Sequence, residues 1–249
     1  MIFCVNRIKG EPGGRTVAVA TANGLALFDR GRRLGQVLDR HSGLIASHTT
    51  DVLFRGTSTG ETSLVVATPA GLSFVQNGAI SSLYAFEGLV NNHVYTVAER
   101  RDGLLAGTLG GFSIIRNGLV AASYTTANSG LRQNWITASA PDGAITYLGT
   151  YGDGVVMLTP QNTLEPFQTV ERRPGRVEIN PNALLVTARG VYAGTSGQGL
   201  AVLRRGSNRW HSVREGLPSA NVTALAARNS LLYIGTDNGL VAIEESDVP

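Results

Sequence analysis

An all-β chain of repeated hairpins is predicted by three features of this sequence: a six-fold recurrence, its period, and the absence of a helical pattern. Six times a short apolar run ends in Ala-Thr or Gly-Thr, turns on a glycine three or four residues later, and resumes as a second apolar run. The copies are Ala20-Thr21-Ala22-Asn23-Gly24-Leu25, Ala67-Thr68-Pro69-Ala70-Gly71-Leu72, Gly107-Thr108-Leu109-Gly110-Gly111-Phe112, Gly149-Thr150-Tyr151-Gly152-Asp153-Gly154-Val155, Gly194-Thr195-Ser196-Gly197-Gln198-Gly199-Leu200 and Gly235-Thr236-Asp237-Asn238-Gly239-Leu240. The threonines stand 47, 40, 42, 45 and 41 residues apart, a mean of 43. That period, with several short strands per unit, is the one expected of β-propeller blades. No segment carries a sustained 3.6-residue apolar period.

Taken in order, the inner strands of the units begin near Ile2, Val52, Val94, Ile136, Val177 and Val222. The last unit shows the construction. Small and apolar residues in Val222-Thr223-Ala224-Leu225-Ala226-Ala227-Arg228 suit a first strand, Asn229-Ser230 turns the chain, and Leu231-Leu232-Tyr233-Ile234-Gly235-Thr236 returns as the second. Asp237-Asn238-Gly239 turns it again into a third strand, Leu240-Val241-Ala242-Ile243-Glu244. Fuller copies add a fourth: after Gly111-Phe112-Ser113-Ile114-Ile115-Arg116 comes Asn117-Gly118, a strong hairpin signal because both residues tolerate positive φ, and then Leu119-Val120-Ala121-Ala122-Ser123-Tyr124. The glycine after each threonine is expected to supply a positive-φ turn residue, and the threonine hydroxyl to satisfy backbone groups of that turn. The expectation is one propeller domain over residues 1–249, with six four-stranded blades of which the last lacks its outer strand. The alternative is part of a seven-bladed ring. An incomplete sixth blade would expose a strand edge through which another chain could associate.

Composition narrows the function classes. Of 249 residues 43% are apolar and 16% charged, and no run of 18 apolar residues is present, so no membrane insertion by a helix is expected. The net charge of +3 comes from one lysine and twenty arginines scattered through turns and strand ends. A nucleic-acid partner would call for a continuous basic stripe with interleaved aromatics, and none is seen. The first residues, Met1 to Arg7, lack the charged segment, apolar core and cleavage site of a signal peptide, and the single cysteine, Cys4, cannot form an internal disulfide.

The string Leu232-Tyr233-Ile234-Gly235-Thr236-Asp237-Asn238-Gly239-Leu240, preceded by Gly216-Leu217-Pro218-Ser219-Ala220-Asn221-Val222-Thr223-Ala224-Leu225, resembles the two-component-regulator propeller repeat. Gly88-Leu89 before Val94 and Gly130-Leu131 before Ile136 repeat the offset of Gly216 to Val222, so the resemblance covers nearly the whole chain. The link before Val177 departs from it, having no Gly-Leu. The resemblance implies a sensor-type bacterial propeller, periplasmic or extracellular, that recognises a ligand or partner. It implies no particular ligand.

Motifs for chemistry are few. Gly56-Thr57-Ser58-Thr59-Gly60 matches the nucleophile-elbow pattern but sits between two strands, where that motif needs a strand-to-helix turn. Gly110-Gly111 and Gly197-Gln198-Gly199 lack the Lys-Ser/Thr and helix of a phosphate loop. His41, His48, His93 and His211 show no zinc-ligand spacing, so no metal and no cofactor is expected. Trp135 and Trp210 read as equivalent strand-edge residues, for packing between blades or for stacking on a sugar ring.

In a propeller the links into each inner strand gather on one face with the turns after each threonine, and pockets favour such convergent loops. Here the links contribute His48, Asn92, His93, Gln133, Asn134, Trp135, Arg172, Arg173, Arg176 and Asn221 as candidate ligand-binding residues. Amides, imidazoles and guanidinium groups suit polyhydroxylated or anionic ligands more than lipids, so the expected partner is a small anionic or glycan ligand or a protein. Glu171-Arg172-Arg173-Pro174-Gly175-Arg176 is the link that departs from the repeat, and arginine forks match carboxylate oxygens. The expectation is a non-enzymatic, sensor-like recognition module. The alternatives are a propeller enzyme acting on polysaccharide, for which Asp51, Asp153 and Asp237 are the available carboxylates, or a structural subunit of an assembly. Far-UV circular dichroism is expected to show a β-rich spectrum with helix below about a tenth of residues.

Overall fold

The computed structural model of the chain describes residues 5–29, 33–56, 62–165 and 176–248. Its regular structure is nearly all β, with 61% of residues in strands, and among the described residues the only helical segment is a single 3-10 turn, Ala85–Glu87. The chain divides into two compact units, residues 1–125 and 126–249.

The first unit holds three antiparallel four-stranded sheets, each running in chain order: β1 (Val5–Gly10), β2 (Thr16–Thr21), β3 (Gly24–Asp29) and β4 (Leu34–Leu38); β5 (Asp51–Gly56), β6 (Thr62–Thr68), β7 (Gly71–Gln76) and β8 (Ala79–Leu83); β9 (Val94–Arg100), β10 (Gly103–Thr108), β11 (Gly111–Arg116) and β12 (Leu119–Tyr124). The second unit continues with β13 (Ile136–Asp142), β14 (Ile145–Gly152), β15 (Val155–Leu158) and β16 (Leu164–Glu165), then β17 (Val177–Val186), β18 (Gly190–Thr195), β19 (Leu200–Arg204) and β20 (His211–Val213). It closes with a three-stranded sheet, β21 (Val222–Arg228), β22 (Leu231–Thr236) and β23 (Gly239–Glu244). The inner strands begin where the repeat places them from Val52 onward; Ile2 and the loop residues Thr57 to Gly60 lie outside the described residues. One irregularity breaks the pattern. β14 pairs with β17, Tyr151 opposite Glu178 and Gly152 opposite Val177, which joins the fourth and fifth sheets into one.

Every period is fastened by the same threonine. Its hydroxyl donates to the carbonyl of the turn glycine at 2.6–2.9 Å, from Thr21, Thr68, Thr108, Thr150, Thr195 and Thr236. The same oxygen accepts a turn N–H at 2.9–3.2 Å, from Asn23, Ala70, Gly110, Asp153, Gln198 and Asn238 respectively. Most of these threonines are buried, so the two bonds also keep a polar side chain satisfied in the interior.

Consecutive sheets within a unit pack face to face. Ala18, Ala20, Leu25 and Leu38 of the first sheet meet Val52, Leu64 and Val66 of the second. Val65, Ala67, Leu72 and Leu83 of the second meet Val97, Leu104, Ala106 and Ile115 of the third. In the second unit Ala138, Tyr147 and Val155 meet Ile179, Val191 and Ala193, and Tyr192, Leu200 and Val202 meet Val222, Leu232 and Ile234. Trp210 belongs to the first of these last two clusters; it is a core residue and no counterpart of Trp135. Burying an aliphatic side chain contributes about 1.5–3 kcal/mol, so these faces outweigh any exposed ion pair between sheets, such as Arg55 with Glu99.

Inner strands are also tied together by side chains. Asn6 Nδ2 donates to the Thr49 carbonyl at 2.7 Å, Thr50 Oγ1 to Val94 at 2.6 Å, Thr137 Oγ1 to Ile179 at 2.7 Å and Asn180 Nδ2 to Val222 at 2.7 Å. The partners are 43, 44, 42 and 42 residues apart, one period each. Asp51 is part of this seam: it is buried, accepts the N–H groups of Val52 and Val97 at 2.8 and 2.9 Å, and lies 3.6 Å from the Arg7 guanidinium. Beyond β23 the chain turns in: Glu245 accepts the Tyr192 hydroxyl at 2.9 Å as well as the Thr187 hydroxyl, and Val248 is buried with Leu200 and Leu232.

Two turn glycines have different surroundings. Gly199 (φ +84°) faces the Val213 carbonyl of its fourth strand, which a Cβ would overlap, whereas the nearest atoms to a Cβ on Gly239 (φ +135°) are Pro218 carbons, the first at 3.5 Å. Both positions disfavour a β-branched residue, but only Gly199 also meets backbone. Gly239→Val is expected to cost about 1 kcal/mol and Gly199→Val clearly more, by urea denaturation. Burial, and then the neighbouring Glu245 carboxylate, push the Tyr192 phenol up to about 12. Its ordinary value is near 10, so the stability it contributes is complete below about pH 10 and declines as pH rises toward 12. Tyr192→Phe is expected to lose that part of the alkaline decline in a melting-temperature series.

Candidate functional site

The junction of the fourth and fifth sheets gathers several side chains with binding chemistry. The turn after Thr150, like that after Thr195, is one residue longer than those after Thr108 or Thr236, and its Tyr151 and Gly152 pair with β17. The Tyr151 backbone N–H donates to the Trp135 carbonyl at 3.0 Å, and the two rings lie 4.3 Å apart, tilted by 33°. Cross-strand placement brings the Tyr151 hydroxyl to the Glu178 carboxylate; that hydrogen bond, and then the negative charge, raise the phenol above its ordinary value.

Arg176 completes the group. Its Nη2 donates to the Tyr151 carbonyl at 3.2 Å, and its own carbonyl accepts Gln198 Nε2 at 2.8 Å. The guanidinium lies against Gly152, where a Cβ would stand 3.0 Å from its nitrogens and 3.1 Å from Gln133 Nε2. Glycine there makes room for the guanidinium and the Gln133 amide. Beside them, burial raises the Asp153 carboxyl, opposed by Arg132, whose Nη1 is 4.0 Å from Asp153 Oδ1. Two rings, two guanidinium groups, two amides and two carboxylates thus belong to one set of adjacent loops, a combination able to stack on a ring and to bond hydroxyl and carboxylate oxygens.

The first unit carries a smaller group. His93 stacks on Tyr95 at 4.4 Å with an angle of 7° between the rings. Burial, and then the charge of His48, lower the His93 imidazole from its ordinary value, so it is mostly neutral at pH 7. Other link residues hold loops. Asn92 Oδ1 accepts the Ala85 N–H and Asn134 Oδ1 the Thr126 N–H, each at 2.7 Å, the same role one period apart. Asn221 bonds Asn180 at 2.9 Å and Asp237 at 3.1 Å. Arg172 and Arg173 lie outside the described residues.

Gln133, Trp135 and Arg176 are therefore brought together, while Asn92, Asn134 and Asn221 hold loops. The sequence reading missed Tyr151, Glu178 and Gln198. A signal for Tyr151 existed: it is the aromatic residue immediately following a repeat threonine. Among the described residues no group of three or more His, Cys, Asp or Glu side chains is placed to hold a metal ion.

No family model matches the chain and no curated protein matches it. Solved structures do. The extracellular domain of BT3049 from B. thetaiotaomicron, described as a hybrid two component system, matches with a TM-score of 0.74 at 20% identity over 98% of this chain and 34% of that one. The extracellular domain of BT4673, described likewise, gives 0.69 at 17% over 96% and 32%. PorZ of Porphyromonas gingivalis, a bacterial surface component of the type-IX secretion system, gives 0.63 at 11% over 98% and 33%. At these identities the likeness is one of fold, and the chain spans about a third of the length of each.

Asn92→Ala and Asn134→Ala are each expected to cost about 0.5–1.5 kcal/mol in urea denaturation, because each loses the side-chain bond that holds a loop N–H. The Trp135–Tyr151 ring pair next to Asn134 should be retained, which near-ultraviolet circular dichroism checks.

Proposed function

We propose that the chain is a non-enzymatic recognition module of sensor type and that the junction of its fourth and fifth sheets takes a glycan bearing an acidic group. The observation that carries this reading is the Trp135–Tyr151 ring pair with the Arg176 guanidinium seated on Gly152 beside Gln133. The rings offer an apolar face to a sugar, and Arg176 and Gln133 offer donors to carboxylate and hydroxyl oxygens. The roles of the other carboxylates support a binding reading over a hydrolytic one: Asp51 is held in the seam between inner strands, and Asp237 accepts from Asn221. The fold shared with extracellular domains of bacterial sensor systems supports a periplasmic or extracellular site of action.

Titration of the protein with a panel of uronate-containing oligosaccharides, followed by calorimetry and by tryptophan fluorescence, tests it. Trp135→Ala and Arg176→Ala are each expected to weaken binding about tenfold or more, equivalent to about 1.4 kcal/mol. Loss through Arg176→Ala should be confined to acidic members of the panel, whereas Trp135→Ala should weaken neutral members too. Equal affinity in wild type and both variants would count against the site.

A further inference from the structure

The first unit has a second place where cations gather, a cleft of about 370 Å³ between its second and third sheets. Phe74 of β7 and Ile115 of β11 supply its apolar lining, and Arg55, Arg101, Asp102 and Arg116 the charged one. The apolar part belongs to the repeat. Phe74 stands opposite the residue three before a repeat threonine and Ile115 opposite the residue four before one, as Met157 and Leu203 do in the second unit. The charged part does not. The corresponding cleft between the fourth and fifth sheets has Tyr147, Trp210, Asn208 and Glu165 around Met157 and Leu203, and no cation lines it among the described residues.

Two of the three guanidinium groups are held in place by the scaffold. Glu99 accepts Arg55 Nε at 2.6 Å and Nη2 at 2.9 Å, from the inner strand one period on. Arg116 Nε donates to the Asp102 carbonyl at 2.7 Å, and its Nη2 to Asp102 Oδ2 at 3.2 Å. A Cβ on Gly103 would overlap the Ile115 carbonyl and stand 3.1 Å from Arg116 Cγ, so glycine there leaves room for the arginine to reach Asp102. In both arginines these bonds use one edge of the guanidinium, and Nη1 has no protein partner among the described residues. Arg101, exposed beside them, makes no hydrogen bond or ion pair among the described residues.

The charges do not balance. Asp102 is answered by the buried Arg100, whose Nε lies 2.8 Å from Oδ1, and Arg55 is answered by Glu99. Arg101 and Arg116 are left over, so among the described residues the cleft holds two positive charges that no carboxylate offsets. A phosphate monoester carries about −1.5 to −2 charge at neutral pH and offers three strong acceptor oxygens. Guanidinium forks match those oxygens better than any other side chain.

We infer that this cleft binds a small molecule bearing a phosphate monoester on an apolar body. Arg101 and the unspent Nη1 groups of Arg55 and Arg116 take the phosphate oxygens, and Phe74 and Ile115 cover the body. The inference is separate from the glycan reading: the cleft lies within the first unit and uses none of the residues around the Trp135–Tyr151 pair.

Calorimetric titration of the full chain, in phosphate-free buffer, with phenyl phosphate, phenyl sulfate and inorganic phosphate tests it. Phenyl phosphate is expected to bind most tightly, with a Kd of about 0.1 mM. Phenyl sulfate, with a single charge, and inorganic phosphate, with no apolar body, are each expected to bind about tenfold more weakly. Arg101→Gln and Arg116→Lys are each expected to weaken phenyl phosphate about tenfold. Since Arg101 bonds nothing among the described residues, its variant is expected to keep the wild-type melting temperature, which separates lost binding from lost fold. No saturable binding of phenyl phosphate up to about 1 mM would overturn the inference. So would equal affinity in wild type and either variant, or phenyl sulfate or inorganic phosphate binding as tightly as phenyl phosphate. Loss in Arg176→Ala with retention in Arg101→Gln would also overturn it, by assigning the anion to the other arginine site.

Discussion

One hydroxyl group sets the terms for this structure. In each period the repeat threonine accepts a turn N–H and donates to the glycine carbonyl two strands' turn away, so the second and third strands can close in one register only. Fixing that register fixes which residues face each neighbouring sheet, because a slip of one would reverse every side chain. The apolar clusters within each unit, and the side-chain bonds that span 42 to 44 residues, all presuppose it.

Variation collects where the repeat is relaxed. β17 runs to ten residues, and its first residues reach the turn after Thr150, where Tyr151 pairs with Glu178. In other turns the residue whose N–H the threonine accepts is small or polar, such as Asn238 and Ala70. A repeat thus separates two tasks: identical turns hold the strands, and the exceptional turn is free to present a tyrosine, a glycine under a guanidinium, and a half-buried carboxyl.

The sequence made the strand starts from Val52 onward, the threonine turns and the three-stranded final sheet legible, because these repeat and repetition filters out chance. It also singled out Gln133, Trp135 and Arg176 by their place in the links, and these three are neighbours in the structure. It could not distinguish Asn92 and Asn134, which hold the Ala85 and Thr126 amides, from a residue with a side chain free for a ligand; that difference lies in a partner seven or eight residues upstream. Tyr151 and Glu178 were missed since their meeting depends on pairing between two sheets. Tyr147, Tyr192 and Tyr233 occupy one position, three before the threonine, yet play three roles: Tyr147 packs against the fifth sheet, Tyr192 is wholly buried with Glu245, and Tyr233 lies on the exposed last sheet.

The period-long bonds between inner strands carry a kinetic meaning. Within a unit each sheet is held by its immediate neighbours, so opening one releases the flank of the next and of no other. Loss of structure in the second unit should then spread from sheet to sheet like a zip, and amide protons should exchange in that sequence. Glu245 and Val248 fasten the last sheet to the fifth: a buried carboxylate shared by two hydroxyls and an apolar plug must both come free before those two sheets can part.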